Sequence, residues 1–190
     1  MVYKVRNLWS NYVTHEKIPG VFTPEECAKI VATYADIKIQ RADVKIKDLQ
    51  YRDTDLRWIA GTDPNAAWIF ERLERTVLKW NANNFNFDIE ECSDLQLGHY
   101  KPGQMYHWHA DLGSGDLSRR KLSSVVMRSP PSDYKGGDLE FFLGEGGVGR
   151  LDLLVGDVAV FTSWSKHRVT EVTEGNRRTL VGWWSGPPYR

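Results

Sequence analysis

From about residue 85 to residue 184 of this 190-residue chain, short apolar segments alternate with turns rich in glycine, proline or asparagine. Segments this short, separated by regular turn signals, are typical of β-strands rather than helices. The strands do not alternate with helical segments, which argues against a doubly wound α/β fold. The sequence predicts strands over residues 95–100, 106–110, 122–127, 138–142, 151–154, 158–161, 167–172 and 177–184.

Two helices are predicted before this region. Thr23, Pro24 and Glu26 provide an N-cap hydroxyl, a proline at the first helical position and the glutamate of a capping box. A second start signal, Asp63-Pro64, precedes an apolar stripe at helical spacing that should end in the asparagine-rich run 81–84. This order predicts an α+β, mainly β fold: a β-sandwich or jelly roll buttressed by N-terminal helices.

Length and charge limit the number of domains and the class of partner. A chain of 190 residues with 41% hydrophobic content predicts a single domain over 1–190, with helical support to about residue 84 and a β core over about 85–186. Basic and acidic side chains number 25 each, so nucleic acid is disfavoured as a partner. No segment approaches the ~18 consecutive apolar residues of a membrane span. Cys27 and Cys92 lack CxxC spacing, so we expect buried thiols in a soluble, cytoplasmic protein.

The segment with most chemical information ends in His107-Trp108-His109-Ala110-Asp111. Side chains two apart on a strand share a side, so His109 and Asp111 would present an imidazole and a carboxylate to one point. His167, at the start of a later predicted strand, can close the same site in a two-layered β fold. This donor set leaves coordination positions open, which suits non-haem Fe(II) and differs from the closed shell of structural zinc. His107 has the same parity and remains a rival ligand, or a group near the substrate.

A second constellation follows His167. Arg177 and Thr179 lie two apart on a predicted strand and should face the same way. A guanidinium can bind a carboxylate through two parallel hydrogen bonds, and the hydroxyl adds a donor. The pair therefore predicts a carboxylate clamp, whereas Arg178 has the opposite parity and is interpreted as a solvated surface charge.

These residues resemble the prolyl 4-hydroxylase-type Fe(II)/2-oxoglutarate oxygenases in order and spacing. The motifs are Tyr100-x-x-Gly103-x-x-Tyr106-x-x-His109-x-Asp111, then His167-x-Val169, then Gly175-x-Arg177-x-Thr179. A further set is similar to the bacterial PKHD-type hydroxylases: Lys121-Leu122-Ser123, Tyr134 and Gly136-Gly137-Asp138-Leu139. The resemblance covers about residues 95–186.

The resemblance implies a double-stranded β-helix (jelly roll) core that binds Fe(II) through His109, Asp111 and His167. It also implies that Arg177 pairs with the 5-carboxylate of 2-oxoglutarate, with Thr179 and Tyr100 assisting. Such a dioxygenase uses 2-oxoglutarate as co-substrate and O2 to hydroxylate an unactivated C–H bond, and releases succinate and CO2. Ascorbate is admitted by the resemblance as a further cofactor.

The resemblance leaves open whether the substrate is a prolyl residue of a peptide, a free amino acid or another small molecule. Met127-Arg128 stands where PKHD-type proteins usually have glutamine and leucine, and Glu171 replaces a frequent proline. Substrate choice must depend on residues outside the metal ligands. The candidates for that outer wall are Tyr106, His107, Arg128, Arg57, Trp58 and Trp164.

Two other functions remain as alternatives. A non-catalytic jelly-roll binding module would keep the fold without the chemistry, although every expected ligand is present. Nucleic-acid demethylases of the same superfamily resemble one another in a second arginine six residues after the first, where this chain has Trp183. The balanced charge also argues against the demethylase.

Overall fold

The computed structural model describes residues 13–46 and 49–189, and only the backbone of residues 45, 46, 49 and 50. Two α-helices and fourteen β-strands make up this part of the chain. In chain order they are β1 (His15–Ile18), α1 (Pro24–Thr33), β2 (Gln40–Ile46), β3 (Leu49–Ile59), α2 (Ala67–Asn84), β4 (Glu91–Cys92), β5 (Leu95–Tyr100), β6 (Met105–His109), β7 (Arg120–Met127), β8 (Tyr134–Gly136), β9 (Leu139–Phe142), β10 (Val148–Leu151), β11 (Val158–Thr162), β12 (His167–Val169), β13 (Val172–Gly175) and β14 (Arg177–Ser185).

Both predicted helices are present. The capping box of α1 forms as expected, because the Thr23 hydroxyl accepts from the Glu26 amide at 3.2 Å and the Glu26 carboxylate accepts from the Thr23 amide at 2.9 Å. α2 starts at Ala67, slightly later than Asp63-Pro64 predicts. The Asp63 carboxylate accepts from the Asn65 amide at 2.9 Å, so these residues form a local turn before the helix. α2 ends at Asn84, within the predicted asparagine run.

Twelve strands form one antiparallel sheet that folds into two layers. The first layer contains β1, β11, β7, β14 and β5, and the second contains β6, β12, β9 and β10. β3 pairs with β5 through one part of its length and with β6 through another, and therefore joins the layers. β8 and β13 form a separate two-stranded sheet.

The two faces of the first layer bury different cores. On β7, Leu122 and Val126 point outwards and pack with buried residues of α1 and α2, such as Ile30 and Leu73. Residues of opposite parity, such as Val125 and Met127, pack inwards with Phe141 and Phe161 between the layers. The helices thus buttress the outer face, as predicted, and the interior between the layers contains the candidate site.

Three expectations require correction. The segment predicted as helical support to residue 84 also contains β1, β2 and β3, whose polar strands lack the apolar runs by which strands are identified. Residues 148–151 rather than 151–154 form β10, because that register pairs them with β9. The predicted strand 167–172 is divided into β12 and β13, since the amide of Thr170 donates to the carbonyl of Asp138 at the break. The single domain stays a prediction.

Neither α1 nor α2, the α-helices of the described residues, combines the length and apolar character that a membrane span requires.

Candidate metal centre

One cluster of possible metal ligands occurs in the described part of the chain: His109, Asp111 and His167, whose donor atoms lie within 4.8 Å of one another. His109 ends β6 and is paired with His167, the first residue of β12. Asp111 follows β6, and its carboxylate oxygens lie 3.7 Å from Nε2 of His109 and 3.8 Å from Nε2 of His167. Antiparallel pairing of β6 with β12 therefore brings together side chains more than fifty residues apart.

Hydrogen bonds orient both imidazoles. Nδ1 of His109 lies 2.8 Å from the carbonyl oxygen of His107, and Nδ1 of His167 lies 2.9 Å from that of Ser165. A carbonyl only accepts, so each Nδ1 carries a proton, and in the neutral form of each ring the lone pair is on Nε2. Both lone pairs are therefore available to a metal ion in the cluster.

The carboxylate is also held in place. The Ser123 hydroxyl of β7 donates to Oδ2 of Asp111 at 2.7 Å, and the Asp111 amide donates to the carbonyl of Ser163 at 2.9 Å. Burial by itself would raise the pKa of Asp111, but the imidazoles of His167 and His109 and the Ser123 hydroxyl outweigh it and lower the pKa. Burial and the neighbouring His167 lower the pKa of His109 to about 3. An ionised carboxylate and a neutral imidazole are the forms that bind metals.

His107 does not join this cluster, contrary to the parity argument. His167 pairs with His109, but Val169 pairs with Tyr106, so one residue on β12 between these pairs opposes two on β6. This bulge reverses the alternation, and Tyr106 instead of His107 lines the pocket beside His109. The His107 ring stacks on Tyr51, with centroids 6.1 Å apart.

Arg177 lies in the same pocket as the cluster, on β14. Its side chain is 1% exposed, and its Nε and Nη2 have no hydrogen-bond partner among the described residues. Thr179 and Tyr100, from β14 and β5, line the pocket beside it, and the guanidinium lies 5.3 Å from the centre of the Tyr100 ring. Burial lowers the pKa of Arg177, but a guanidinium stays charged at neutral pH. A buried cation with free donors fits an anionic ligand.

Gly137 makes room for this arginine. Its φ is +64°, and a Cβ there would lie 2.7 Å from Cδ of Arg177 and 2.9 Å from Cγ2 of Val172. Both the backbone conformation and the close approach require glycine. The Gly136-Gly137 pair therefore has a structural role at the anion-binding end of the pocket.

Of the substrate-side candidates, only Tyr106 lines this pocket. Its ring stacks on that of His109 at 3.5 Å between centroids, and burial raises its pKa to about 12. Trp58 does not line the pocket, but its ring centroid lies 6.1 Å from that of Trp183, which does. Trp164 is 38% exposed and packs edge-on against the ring of Phe85.

Arg57 and Arg128 line a different cavity on the outer face of the first layer, so they are not brought to the metal cluster. The structure adds pocket residues that the sequence analysis missed: Arg52, Gln96 and Trp183. Gln96 has the parity of Tyr100 on β5 and was predictable from that alternation. Arg52 comes from β3, and no local signal indicates that this strand joins the two layers.

The fold and the donor set define a class of protein. The sequence model of the 2OG-Fe(II) oxygenase superfamily matches residues 95–185, which contain the cluster and Arg177. The chain is 32% identical over 171 residues to a PKHD-type hydroxylase of Picosynechococcus sp., covering 88% of this chain and 76% of that protein. The chain belongs to the PKHD-type hydroxylases of the 2OG-Fe(II) oxygenase superfamily. Matches to other PKHD-type hydroxylases cover less of those proteins, for example 40% of one from Parvibaculum lavamentivorans.

Solved structures show the same fold. A prolyl-4-hydroxylase of Pseudomonas putida has a TM-score of 0.74 at 20% identity, covering 92% of this chain and 93% of that one. A prolyl hydroxylase from Trichoplax adhaerens, in complex with a hypoxia inducible factor peptide fragment, has a TM-score of 0.73 at 16% identity, covering 90% and 83%. The predicted jelly-roll fold, superfamily and class of enzyme are confirmed. The family implies Fe(II), 2-oxoglutarate and O2.

Proposed function

We propose that this chain hydroxylates an unactivated C–H bond of a prolyl, peptidyl or amino-acid-like substrate, with Fe(II) held by His109, Asp111 and His167. The observation that carries the proposal is the buried guanidinium of Arg177, whose Nε and Nη2 have no hydrogen-bond partner among the described residues, in the same pocket as the three ligands. A metal cluster alone suits many proteins, whereas a cluster beside a buried anion clamp suits an acidic co-substrate.

The ligands supply a site for a divalent metal with open positions. His109 and His167 offer their Nε2 atoms, because backbone carbonyls accept from their Nδ1 atoms, and Asp111 offers the carboxylate. When bound, Fe(II) and 2-oxoglutarate supply the oxidative chemistry, in which 2-oxoglutarate and O2 are converted to succinate and CO2 as the substrate gains a hydroxyl group. Ser123 keeps the carboxylate oriented through its hydrogen bond to Oδ2.

Arg177 positions the co-substrate. Its free Nε and Nη2 can donate to both oxygens of the 5-carboxylate, and the Thr179 hydroxyl and the Tyr100 ring line the same end of the pocket. Apolar neighbours such as Val125 and Leu139 exclude water from the contact. Exclusion of water strengthens the charge-assisted hydrogen bonds.

The substrate side of the pocket favours a peptide-like ligand. Tyr106 and Trp183 supply aromatic surface, and the Arg52 guanidinium lies 4.3 Å from the centre of the Tyr106 ring while donating to Gln96 at 2.7 Å. Aromatic surface beside an amide and a cation suits a proline ring flanked by peptide carbonyls. The structural neighbour from Trichoplax adhaerens binds a peptide fragment, which supports this class.

Turnover of 2-oxoglutarate tests the proposal. The chain is incubated with Fe(II), 2-oxoglutarate, O2 and a pool of proline-containing peptides and amino acids, with and without ascorbate, whose requirement stays a prediction. We expect succinate to form and mass spectrometry to show the gain of one oxygen atom. Asp111→Ala should abolish both signals, and Asp116→Ala, at an exposed position, should keep them. A second measurement is the charge-transfer band expected when Fe(II) and 2-oxoglutarate are added without oxygen. If the unaltered chain gives neither this band nor succinate, the non-catalytic binding module is favoured.

The alternatives have less support. A binding module gives no reason for three oriented ligands beside a buried arginine. A nucleic-acid demethylase requires contacts to phosphates, and the formal net charge of the chain is zero. A cytoplasmic location, with the cysteines reduced, is supported by the free thiols of Cys27 and Cys92.

A further inference from the structure

A second cavity, of about 200 Å³, lies on the outer face of the first layer. Three arginines line it: Arg57 on β3, Arg128 directly after β7 and Arg178 on β14. The strands bring them together, because Arg178 pairs with His99 on β5, whose other neighbour is β3, and the Arg128 amide donates to the Arg178 carbonyl at 2.9 Å. The C-terminal end of α1 closes one side through Val31.

This cavity is separate from the metal pocket. Arg177 and Arg178 are consecutive on β14 and point to opposite faces of the sheet. Arg177 lines the metal pocket, whereas Arg178 lines the outer cavity. Arg178 lies on the outer face, as its parity predicts, and its side chain is half-buried at the outer cavity.

The three guanidinium groups have no ion-pair partner in the part of the chain that the structure describes. Within residues 13–46 and 49–189, no carboxylate forms an ion pair with any of the three guanidinium groups. Asp55, a carboxylate on the same face of β3 as Arg57, is paired with Lys101 at 2.7 Å. His99 is held by a 2.7 Å hydrogen bond to Asn176 and does not supply a negative charge.

Arg128 is the least compensated of the three. Its side chain is 8% exposed, and its Nε has no hydrogen-bond partner among the described residues. Arg57 differs, because its Nε donates to the carbonyl of Ile37, just beyond α1, at 2.9 Å. Burial lowers the pKa of Arg128 to about 10, and the charges of Arg178 and Arg57 contribute to the decrease. The group is still charged at neutral pH, and an unpaired buried charge with a free donor is costly.

We propose that this outer cavity is a binding site for a small oxyanion, a phosphate or carboxylate group of a soluble molecule. Three guanidinium groups offer planar donors that match such oxygens, and a bound anion would satisfy Nε of Arg128 and reduce the repulsion between the arginines. The volume suits a group of the size of phosphate or a short dicarboxylate. This proposal does not depend on the oxygenase chemistry, because none of the three arginines lines the metal pocket.

The test uses Arg177→Gln as the parent protein, so that the anion clamp of the metal pocket does not contribute. Inorganic phosphate and, separately, malonate are titrated into the metal-free chain by isothermal calorimetry. We expect saturable binding of at least one anion, close to one equivalent. Adding Arg178→Gln or Arg128→Gln should weaken it at least tenfold, and Arg75→Gln, an exposed arginine of α2, should leave it unchanged.

The phosphate and malonate titrations together identify the chemical class of the ligand. Tighter phosphate binding indicates a phosphorylated ligand, and tighter malonate binding indicates a carboxylate. Arg178 is less buried than Arg128, so Arg178→Gln keeps the test decisive if Arg128→Gln fails to fold. The proposal is overturned if neither anion binds the parent protein saturably, or if Arg178→Gln binds as tightly as its parent.

Discussion

Single residues of this chain have roles that depend on the face of a strand they occupy. Arg177 and Arg178 are chemically identical neighbours, yet one is buried beside three metal-ligand candidates and the other lines a cavity on the opposite face. Gly137 has a role that depends on close packing instead, because only a residue without a side chain leaves room for Arg177. At this scale, local alternation and close packing decide what each side chain can contact.

Arg177→Gln should weaken 2-oxoglutarate binding by about 100-fold, because truncating one partner of a buried charge pair costs roughly 2–5 kcal/mol. Binding is measured anaerobically by titration of 2-oxoglutarate into the metal-loaded chain. Mn(II) affinity should be kept, since the three ligands are unchanged. Arg75→Gln, at an exposed arginine of α2, is the control, and an equal loss in both variants would contradict the clamp.

Gly137→Ala should lower the free energy of unfolding by about 1–3 kcal/mol, because alanine is strained at positive φ and its Cβ would collide with Arg177. Affinity for 2-oxoglutarate should fall with it as Arg177 is displaced. Denaturant unfolding and co-substrate titration measure the two effects. Gly146→Ala is the control, since the nearest atom to its Cβ lies 3.5 Å away. Equal stability of the two variants would argue against the close packing at Gly137.

The strands and helices add constraints that no single residue carries. The bulge in β6 determines that Tyr106 and His109 face the pocket together, while His107 faces Tyr51. An ion pair between Glu26 and Arg72 joins α1 to α2, and burial of their apolar faces against β7 holds both helices on the outer face of the first layer. The pairing of β6 with β12 therefore decides which of two neighbouring histidines can serve as a metal ligand.

Substituting the two histidines separately tests this geometry. His109→Ala should reduce Mn(II) affinity by about 100-fold or more, as removal of a ligand exceeds the ~10–100-fold effect of an outer partner. His107→Ala should change it by less than about threefold, because alanine keeps the backbone carbonyl that accepts from Nδ1 of His109. Electron paramagnetic resonance of bound Mn(II) measures both affinities. Similar losses in the two variants would show that the bulge is misassigned.

The fold buries the thiol of Cys27 in the core and partly buries that of Cys92. Burial raises the pKa of Cys27 to about 11 and that of Cys92 to about 12. At pH 8 the folded chain should therefore react with iodoacetamide at least about 100-fold more slowly than the unfolded chain, whose thiols have a pKa near ~8.5. Because folding raises these pKa values, stability should decrease as the pH rises from ~8.5 towards 11. Rapid labelling of both cysteines in the native chain at pH 8 would contradict this burial.

The linear sequence by itself determined the chemistry and most of the elements. Capping residues and helical stripes indicated α1 and α2, turn signals separated most of the strands, and alternation placed Arg177 and Thr179 on one side. The spacing of two residues also identified His109 and Asp111 as candidate metal ligands, because the alternation of side chains along a strand is a local property of the backbone.

The tertiary structure decided what local patterns cannot encode. The pairing of His167 with His109, the bulge that excludes His107 and the position of Arg52 all depend on which strands become neighbours. Arg57 and Arg128 were placed at the substrate side, and they meet Arg178 on the outer face instead. Register between distant strands is set by burial of the whole core, and one residue of slip or insertion moves a side chain to the other face.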